Sequence, residues 1–400
     1  SDAQTFKGFV LHIGAVPEGK TVNVGDEVVV QVDYDYRTDV APNHTMTHVL
    51  NFALRKVLGN DVDQKGSYVG ADKLRFDFSS LKGLKTKQLA EVEAIVQDVI
   101  DRSLPVCYKD LPLAQARAIH GLRAVFGETY PDPVRVVCVG EDVATLAADP
   151  DNAAWGGMSV ELCGGTHISN TASAMKFVLV DESALAKGIR RATALTRNAA
   201  IRAYELAEQL AGEVSDARSM KPEDLDRERV IPTLNKKIDT AVISAATKAS
   251  LRAEVDALLN TVKAFQKKQA AGMKDAAAGK LKAAIAEATA AGAPCAVCRV
   301  DIPKAKKQLA KAIGEVAKEL GAGMLPILAV SLEDGESGKL SAATFVPAGA
   351  NINGSDWVKA AVAVAGGNGG GRATAAFGSA RTAENWEAVL KAGSDFVASL

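Results

Sequence analysis

Hydrophobic positions change their period along the chain, and each change predicts a different element. Residues 1–40 alternate or run β-branched at Val22, Val24, Val28, Val29, Val30 and Val32, with Gly14, Pro17, Gly19 and Gly25-Asp26 as punctuation. That pattern predicts two or three short strands joined by turns. Pro42-Asn43 opens a predicted helix that carries His44, His48, Asn51, Phe52, Leu54 and Val57 and ends at Gly59-Asn60. Residues 66–78 predict strands, and Thr86 to Ser103 an amphipathic helix with Leu89, Val92, Ile95, Val96 and Val99 on its apolar face. Leu113 to Phe126 predicts another helical stretch, Val134 to Gly140 a buried strand, and Met175 to Val180 a further strand. The first 195 residues therefore form a mixed α+β unit.

From 196 to 290 glycine and proline thin out while Ala, Leu, Lys and Glu dominate. Leu251, Val255, Leu258, Leu259, Val262 and Phe265 recur at helical spacing, which predicts a long helical hairpin or coiled-coil arm. Residues 291–400 return to α/β. Strands are predicted over Cys295 to Ile302, Met324 to Leu332 and Leu340 to Val346. Helices are predicted from Pro303, suited to a first turn, to Leu320, from Trp357 to Ala365, and from Thr382 onward. Between the last two lies the run Gly366-Gly367-Asn368-Gly369-Gly370-Gly371-Arg372.

Composition narrows the class. With 48% hydrophobic and 24% charged residues the chain can bury a substantial core. A formal net charge of −1 gives no global pull toward nucleic acid or anionic lipid, so any basic surface must be local. The five cysteines are odd in number and scattered, which fits reduced thiols in an intracellular protein. No secretory signal is visible, and no stretch approaches the roughly 20 apolar residues of a membrane span. The chain opens in a strand-like phrase, Phe9-Val10-Leu11-His12-Ile13, that reads like the middle of a domain, so a fragment is expected.

Candidate chemistry is concentrated in two segments, His44-x-x-x-His48 and Cys163-x-x-x-His167. On a helix, residues at i and i+4 share one face, so each segment offers two ligands to one ion. Together they form a Cys/His₃ set of the kind zinc accepts, with nitrogen and sulfur at about 2.0–2.3 Å in a tetrahedron. Spacing leaves structural and catalytic zinc equally open. Gly164 and Gly165 lean toward catalysis, because they keep side chains away from the ion and admit a substrate.

These residues resemble a known family. His44-Thr45-Met46-Thr47-His48 is similar to the HxxxH motif of the alanyl-tRNA synthetase editing domain, and Glu161-Leu162-Cys163-Gly164-Gly165-Thr166-His167 to its second zinc motif. The likeness continues in Gln64-Lys65-Gly66-Ser67, Leu74-Arg75-Phe76-Asp77-Phe78, Phe126-Gly127-Glu128-Thr129-Tyr130 and Lys187-Gly188-Ile189-Arg190-Arg191. The C-terminal glycine run looks like the signature of the family's C-terminal domain. The wording is closer to the eukaryotic cytosolic type. Met46, Ala192 and Arg197 depart from the usual pattern. The ATP-binding aminoacylation core and the first part of the editing barrel have no counterpart, so the chain is not expected to activate alanine by itself.

The resemblance implies an α+β editing domain (1–195, its barrel truncated at the N-terminus), a helical arm (196–290) and a small C-terminal α/β tRNA-binding domain (291–400). It implies Zn²⁺ on His44, His48, Cys163 and His167, and hydrolysis of mischarged Ser-tRNA(Ala) or Gly-tRNA(Ala). The parent activity would be ATP-dependent ligation of alanine to tRNA(Ala). An alanine pocket excludes smaller glycine or singly hydroxylated serine poorly, so a second, hydrolytic site has a physical purpose. Gln64 would line the pocket. Thr45 and Thr166, like Thr47, could meet a seryl hydroxyl or merely cap turns. Arg75, Arg190 and Arg191 match phosphate geometry, although pairing with Asp72, Asp77 or Glu182 is the commoner fate of such residues. Gly366, Gly367, Gly369, Gly370, Gly371 and Arg372 lack the Gly-Lys-Ser/Thr end of a P-loop. They could nest a phosphate or link domains. The resemblance implies a tRNA or dimer contact there, with Lys304 and Lys307 adding charge nearby. Cys295-x-x-Cys298 on a strand would point to opposite faces, as buried residues rather than a metal pair. A cytoplasmic, membrane-free protein is expected, with self-association through the C-terminal domain. Alternatives are a free-standing trans-editing deacylase, a non-catalytic tRNA-binding module with structural zinc, or an unrelated zinc hydrolase of small esters.

Overall fold

The structure, a computed structural model, describes residues 2–6, 9–125, 128–302, 305–333 and 338–400. It divides into two compact units, Ser1–Ser215 with Leu234–Ala253, and Asp216–Thr233 with Glu254–Leu400.

The first unit begins with the hairpin β1 (Asp2–Phe6) and β2 (Phe9–Ile13). The strands expected from Val22 to Val32 do not form: this stretch has no regular structure and its valines are exposed. β-Branched composition yields a strand only where a partner supplies hydrogen bonds and a face to bury, and no described strand pairs here. Helix α1 (Tyr34–Leu58) starts well before Pro42, capped by Asp33. Pro42 has no N–H for the Thr38 carbonyl. Arg197 Nη1 donates to that carbonyl instead, at 3.0 Å, so the helix passes through the proline.

β3 (Gln64–Val69), β4 (Leu74–Ser79), β8 (Phe177–Ala186) and β9 (Ile189–Thr196) form an antiparallel sheet in the order β3-β4-β9-β8. In β4, Leu74, Phe76 and Phe78 are buried while Arg75, Asp77 and Ser79 face outward, the period of two that a half-covered sheet demands. α1 and α2 (Thr86–Asp101) cover the apolar face through Met46, Leu50, Leu54, Val92 and Val96. Each such aliphatic or aromatic side chain contributes roughly 1.5–3 kcal/mol on burial. A second sheet joins β5 (Val106–Leu111), β6 (Val134–Val139) and β7 (Ser159–Leu162), with α3 (Leu113–Ala118) and α4 (Val143–Ala148) against it. α3 is far shorter than the expected helix to Phe126. The chain turns extended at Ile119 and Gly121 then adopts φ +81, so no helix continues, and Phe126 and Gly127 lie outside the described residues. The Cys163–His167 segment is likewise no helix. It is an irregular loop leaving β7, as a Gly-Gly pair favours.

Residues 197–290 are helical, as expected, in α5 (Arg197–Ser219), α6 (Pro222–Arg227), α7 (Val230–Thr240) and α8 (Ala245–Ala290). In the second unit β10 (Ala296–Arg299), β11 (Ile327–Glu333), β12 (Lys339–Phe345), β13 (Asn368–Arg372) and β14 (Ala375–Ala380) make one sheet in the order β10-β11-β12-β14-β13. α9 (Ala305–Leu320) and Leu281 and Ile285 of α8 pack on one face. α10 (Gly354–Ala363) and α11 (Trp386–Ala398) pack on the other. Cys295 joins the second cluster and Cys298 the first, so the pair straddles the sheet as strand geometry requires. No helix among the described residues is long and apolar enough to cross a membrane.

The glycine run is neither nest nor linker: most of it is the edge strand β13. A Cβ on Gly367 would lie 2.6 Å from the Ser379 carbonyl oxygen, and one on Gly369 3.0 Å from Val358 Cγ1. Gly367 and Gly369 are glycine because α10, through Val358 and Val362, and β14 lie against them, contacts that side chains would prevent, and Gly371 because the Ala375–Ala376 backbone does.

A candidate metal centre

α1 presents His44 and His48 one turn apart, and the loop after β7 brings Cys163 and His167 to them. The four ligand atoms lie within 4.8 Å of one another. Gly165 makes the approach possible, since a Cβ there would sit 2.5 Å from His44 Cε1. The His44 and His167 rings stack at 4.2 Å between centroids.

Hydrogen bonds fix which ring nitrogen faces the centre. His44 Nδ1 donates to the Thr166 carbonyl at 3.0 Å. His48 Nδ1 donates to Glu161, whose other oxygen accepts from Asn51 Nδ2 at 2.7 Å. Thr45 Oγ1 gives its proton to the Ala41 carbonyl at 3.1 Å, so it must accept from His167 Nδ1, also 3.1 Å away. All three imidazoles therefore turn Nδ1 outward and point Nε2 to the interior. Nε2 of His48 and of His167 is buried without an ordinary hydrogen-bond partner. Outer partners of this kind are how proteins orient metal-binding histidines. The donor set, three imidazoles and one thiolate, fits zinc.

The electrostatics favour ligation at Cys163 and oppose it at His48. Burial opposes ionisation of Cys163, but interaction with His167, His44 and His48 outweighs it and holds the thiol down to about 3. Burial also disfavours a charged His48, but the Glu161 carboxylate reverses this and raises it to about 10. For His167 burial prevails and lowers the value. The thiolate a metal requires is thus already present at neutral pH.

His44, His48 and Cys163 open onto a cleft of about 290 Å³ whose wall includes Gln64, Thr47 and Tyr130. Gln64 Nε2 donates to Ser67 Oγ at 3.3 Å on that wall. Thr45 and Thr166 do not line it. Thr45 holds His167, and Thr166 accepts from Arg37 Nη2 at 2.6 Å on its hydroxyl while its carbonyl holds His44.

The arginines chosen from sequence are already engaged. Arg190 forks onto Glu182, and Arg191 onto Asp77 at 2.7 and 2.8 Å. Arg75 lies 4.6 Å over the Tyr68 ring. Gly366 to Arg372 belong to the second unit's sheet edge, with Arg372 exposed. Lys304 and the Lys307 side chain lie outside the described residues. Sequence reasoning missed Glu161 and Asn51 as supports of the cluster. Asn51 stands at i+7 from His44, the same helical face, and that spacing was the available signal.

Comparison with known proteins follows the same division. Residues 134–191 match the family model described as Threonyl and Alanyl tRNA synthetase second additional domain, and residues 292–399 match the DHHA1 domain. The mitochondrial alanine–tRNA ligase of Saccharomyces cerevisiae is 47% identical over 251 residues, 63% of this chain and 25% of that protein. The cytoplasmic alanine–tRNA ligase of Dictyostelium discoideum is 42% identical over 269 residues, 67% of this chain and 28% of that protein. The chain thus spans about a quarter of the length of these relatives. Among solved structures, the C-Ala domain from Aquifex aeolicus alanyl-tRNA synthetase aligns with 26% of this chain and 87% of its own, at 18% identity and a TM-score of 0.21.

Proposed function

The chain belongs to the alanyl-tRNA synthetase family and corresponds to its C-terminal portion, and on that premise we propose that it hydrolyses mischarged Ser-tRNA(Ala) or Gly-tRNA(Ala) in the cleft beside the Cys/His₃ cluster. The observation that carries this reading is the convergence of three imidazoles and one thiol, of which His44, His48 and Cys163 open onto a cleft. Zinc held by His44, His48, Cys163 and His167 would supply a cationic centre beside the ester, suited to polarising a carbonyl or acidifying water. The chain's own groups do the rest. Glu161, Thr45 and the Thr166 carbonyl lock the ligand rings. Gln64 offers an amide from the wall to orient the ester or a water molecule, and Thr47 lines the cleft with its hydroxyl bonded to the Asn43 carbonyl at 2.8 Å. Gly164 keeps the wall open, with nothing within 4 Å of where a Cβ would stand.

The proposal extends to the other parts. Residues 196–290 serve as a helical arm, coiled-coil in kind, and residues 291–400 as a tRNA-binding domain capable of self-association. The scattered free thiols favour the cytoplasm. Alanine ligation belongs to the parent synthetase in this reading.

A second reading is a tRNA-binding module with structural metal, favoured by one observation: four ligand atoms converge, the number that closes a structural zinc site. One assay separates them. Mischarged Ser-tRNA(Ala) is incubated with the wild type and with Cys163→Ala, and zinc content is measured in both. Zinc-dependent turnover in the wild type that disappears in the variant is the expected result. Tight tRNA binding without turnover in either protein would favour the binding module.

A further inference from the structure

The cleft beside the metal cluster does not end at Glu161. A second cavity, about 350 Å³, adjoins it and shares Asn51, Arg55, Arg123 and Glu161 with it. Its charge differs from that of the metal cleft. Arg55, Lys56 and Arg123 line it, and the one carboxylate in its wall, Glu161, is taken up by His48 and Asn51. Phe52 and Met158 add an apolar side.

These arginines are held but not neutralised. Asn60 Oδ1 accepts from Arg55 Nη2 at 2.8 Å and from Arg123 Nη2 at 3.4 Å, so one neutral oxygen sits between two guanidinium groups. Nε of each is buried without a partner, and no carboxylate pairs with either among the described residues. Arg190 and Arg191 show the contrast, each with a carboxylate fork. The backbone of Arg123 is fixed by pairing with β7, donating to the Val160 carbonyl and accepting from the Leu162 N–H, both at 2.9 Å. Arg55 follows Asn51 by one turn of α1. Two rigidly mounted, unneutralised forks in a partly apolar cavity suit a phosphodiester with its attached base.

We propose that this cavity is a subsite for the nucleotide that precedes the acylated one. Arg55 and Arg123 bind its phosphodiester, and Phe52 and Met158 contact its base or ribose. The identity of the RNA rests on the deacylase reading; the presence of the subsite does not. The single-stranded end would run along one face of α1, with the ester at His44 and His48 and the preceding phosphate about two turns beyond His48 and three beyond His44, at Arg55.

The test uses the full chain and a fluorescein-labelled single-stranded RNA trinucleotide, read by anisotropy, with inorganic phosphate as competitor. Arg55→Gln and Arg123→Gln should each weaken trinucleotide binding about tenfold, the loss expected for one charge-assisted fork. Zinc content should stay at the wild-type level. Arg55→Lys and Arg123→Lys keep the charge without the fork and should fall between. Arg252→Gln, whose guanidinium pairs with Asp239 away from the cavity, should bind like the wild type. Wild-type affinity in both glutamine variants would overturn the proposal. So would an absence of saturable trinucleotide binding, or displacement by phosphate at the trinucleotide's own concentration, which would mark a generic anion site. The two readings fail separately. Hydrolysis of mischarged tRNA with unaffected arginine variants removes the subsite and keeps the deacylase. Arginine-dependent RNA binding without hydrolysis does the reverse.

Discussion

Replacing Glu161 by glutamine probes the metal cluster through a residue that is not itself a ligand. Glu161 accepts from His48 on one oxygen and from Asn51 on the other. Glutamine retains one acceptor and turns an NH₂ toward the second donor. A buried donor left without its partner costs roughly 1–3 kcal/mol, in line with the typical effect of about ten- to a hundredfold on metal affinity for outer partners of ligating histidines. The charge acts in the opposite sense at neutral pH. His48 can use Nε2 as a ligand only after losing a proton, and beside Glu161 it holds that proton to about 10 rather than 6.5. At about 1.4 kcal/mol per unit this is an obstacle of roughly 4–5 kcal/mol when fully expressed. Cys163, already a thiolate down to about 3, adds nothing to it. Wild-type zinc affinity should therefore climb about tenfold per unit between about pH 7 and pH 9, one proton being displaced per ion. For Glu161→Gln the climb should flatten, and near the top of the range the variant should bind about ten- to a hundredfold more weakly. Competition with a chromophoric chelator across a pH series measures both curves. Parallel curves of equal slope would refute the assignment of the proton to the His48–Glu161 pair.

Further outcomes follow from the same residues and from the second unit. In chelator-treated protein the Cys163 pKa is depressed from 9.0 to about 3, so its stabilisation is complete above pH 9.0 and lost as pH falls through about 3. That of His48 runs the other way, complete below pH 6.5 and lost as pH rises through about 10. Acidification from neutrality should accordingly narrow the stability gap between wild type and Cys163→Ala in urea denaturation, and a gap independent of pH would count against the thiolate. In the C-terminal sheet, Gly367→Ala should lower stability by about 1–3 kcal/mol, because its Cβ meets the Ser379 and Val362 carbonyl oxygens at 2.6 and 2.8 Å. Gly370→Ala should be nearly neutral, having open space at its Cβ, and equal thermal shifts for the two would contradict the helix-on-strand account.

The sequence was most legible where period and burial agree. β4 shows its alternation in Leu74, Phe76 and Phe78, and α2 its stripe of Val92, Val96 and Val99, because one face of each meets a core. It misled where local preference lacked a tertiary partner or was overridden by one. Val22 to Val32 have strand composition and no sheet to join. Pro42 reads as a helix start, yet a distant arginine satisfies the carbonyl that the proline leaves free. The glycine run reads as flexible, but Gly367 and Gly369 answer to α10, a helix preceding them in the chain, through contacts that spacing does not encode.

The metal site was legible for a reason that was partly mistaken. The four ligands were identified from i,i+4 spacing on two helices, but only His44 and His48 lie on one. Cys163 and His167 converge through a glycine loop, where the four-residue spacing has no helical meaning. The convergence of these four side chains survives because it depends on two chain segments meeting, whichever backbone delivers them. What spacing cannot supply is the orientation of each ring, which comes from Thr45, Glu161 and the Thr166 carbonyl. Of these, Thr45 and Thr166 stand open in the sequence between meeting a seryl hydroxyl and capping turns. Near a metal, polar residues divide into those that face the substrate and those that hold the ligands. The Thr45 hydroxyl, committed to the Ala41 carbonyl and the His167 ring, has no proton left to give a substrate. The same accounting separates the arginines, since forks closed on Asp77 and Glu182 are spent, whereas those at Arg55 and Arg123 remain open to an anion.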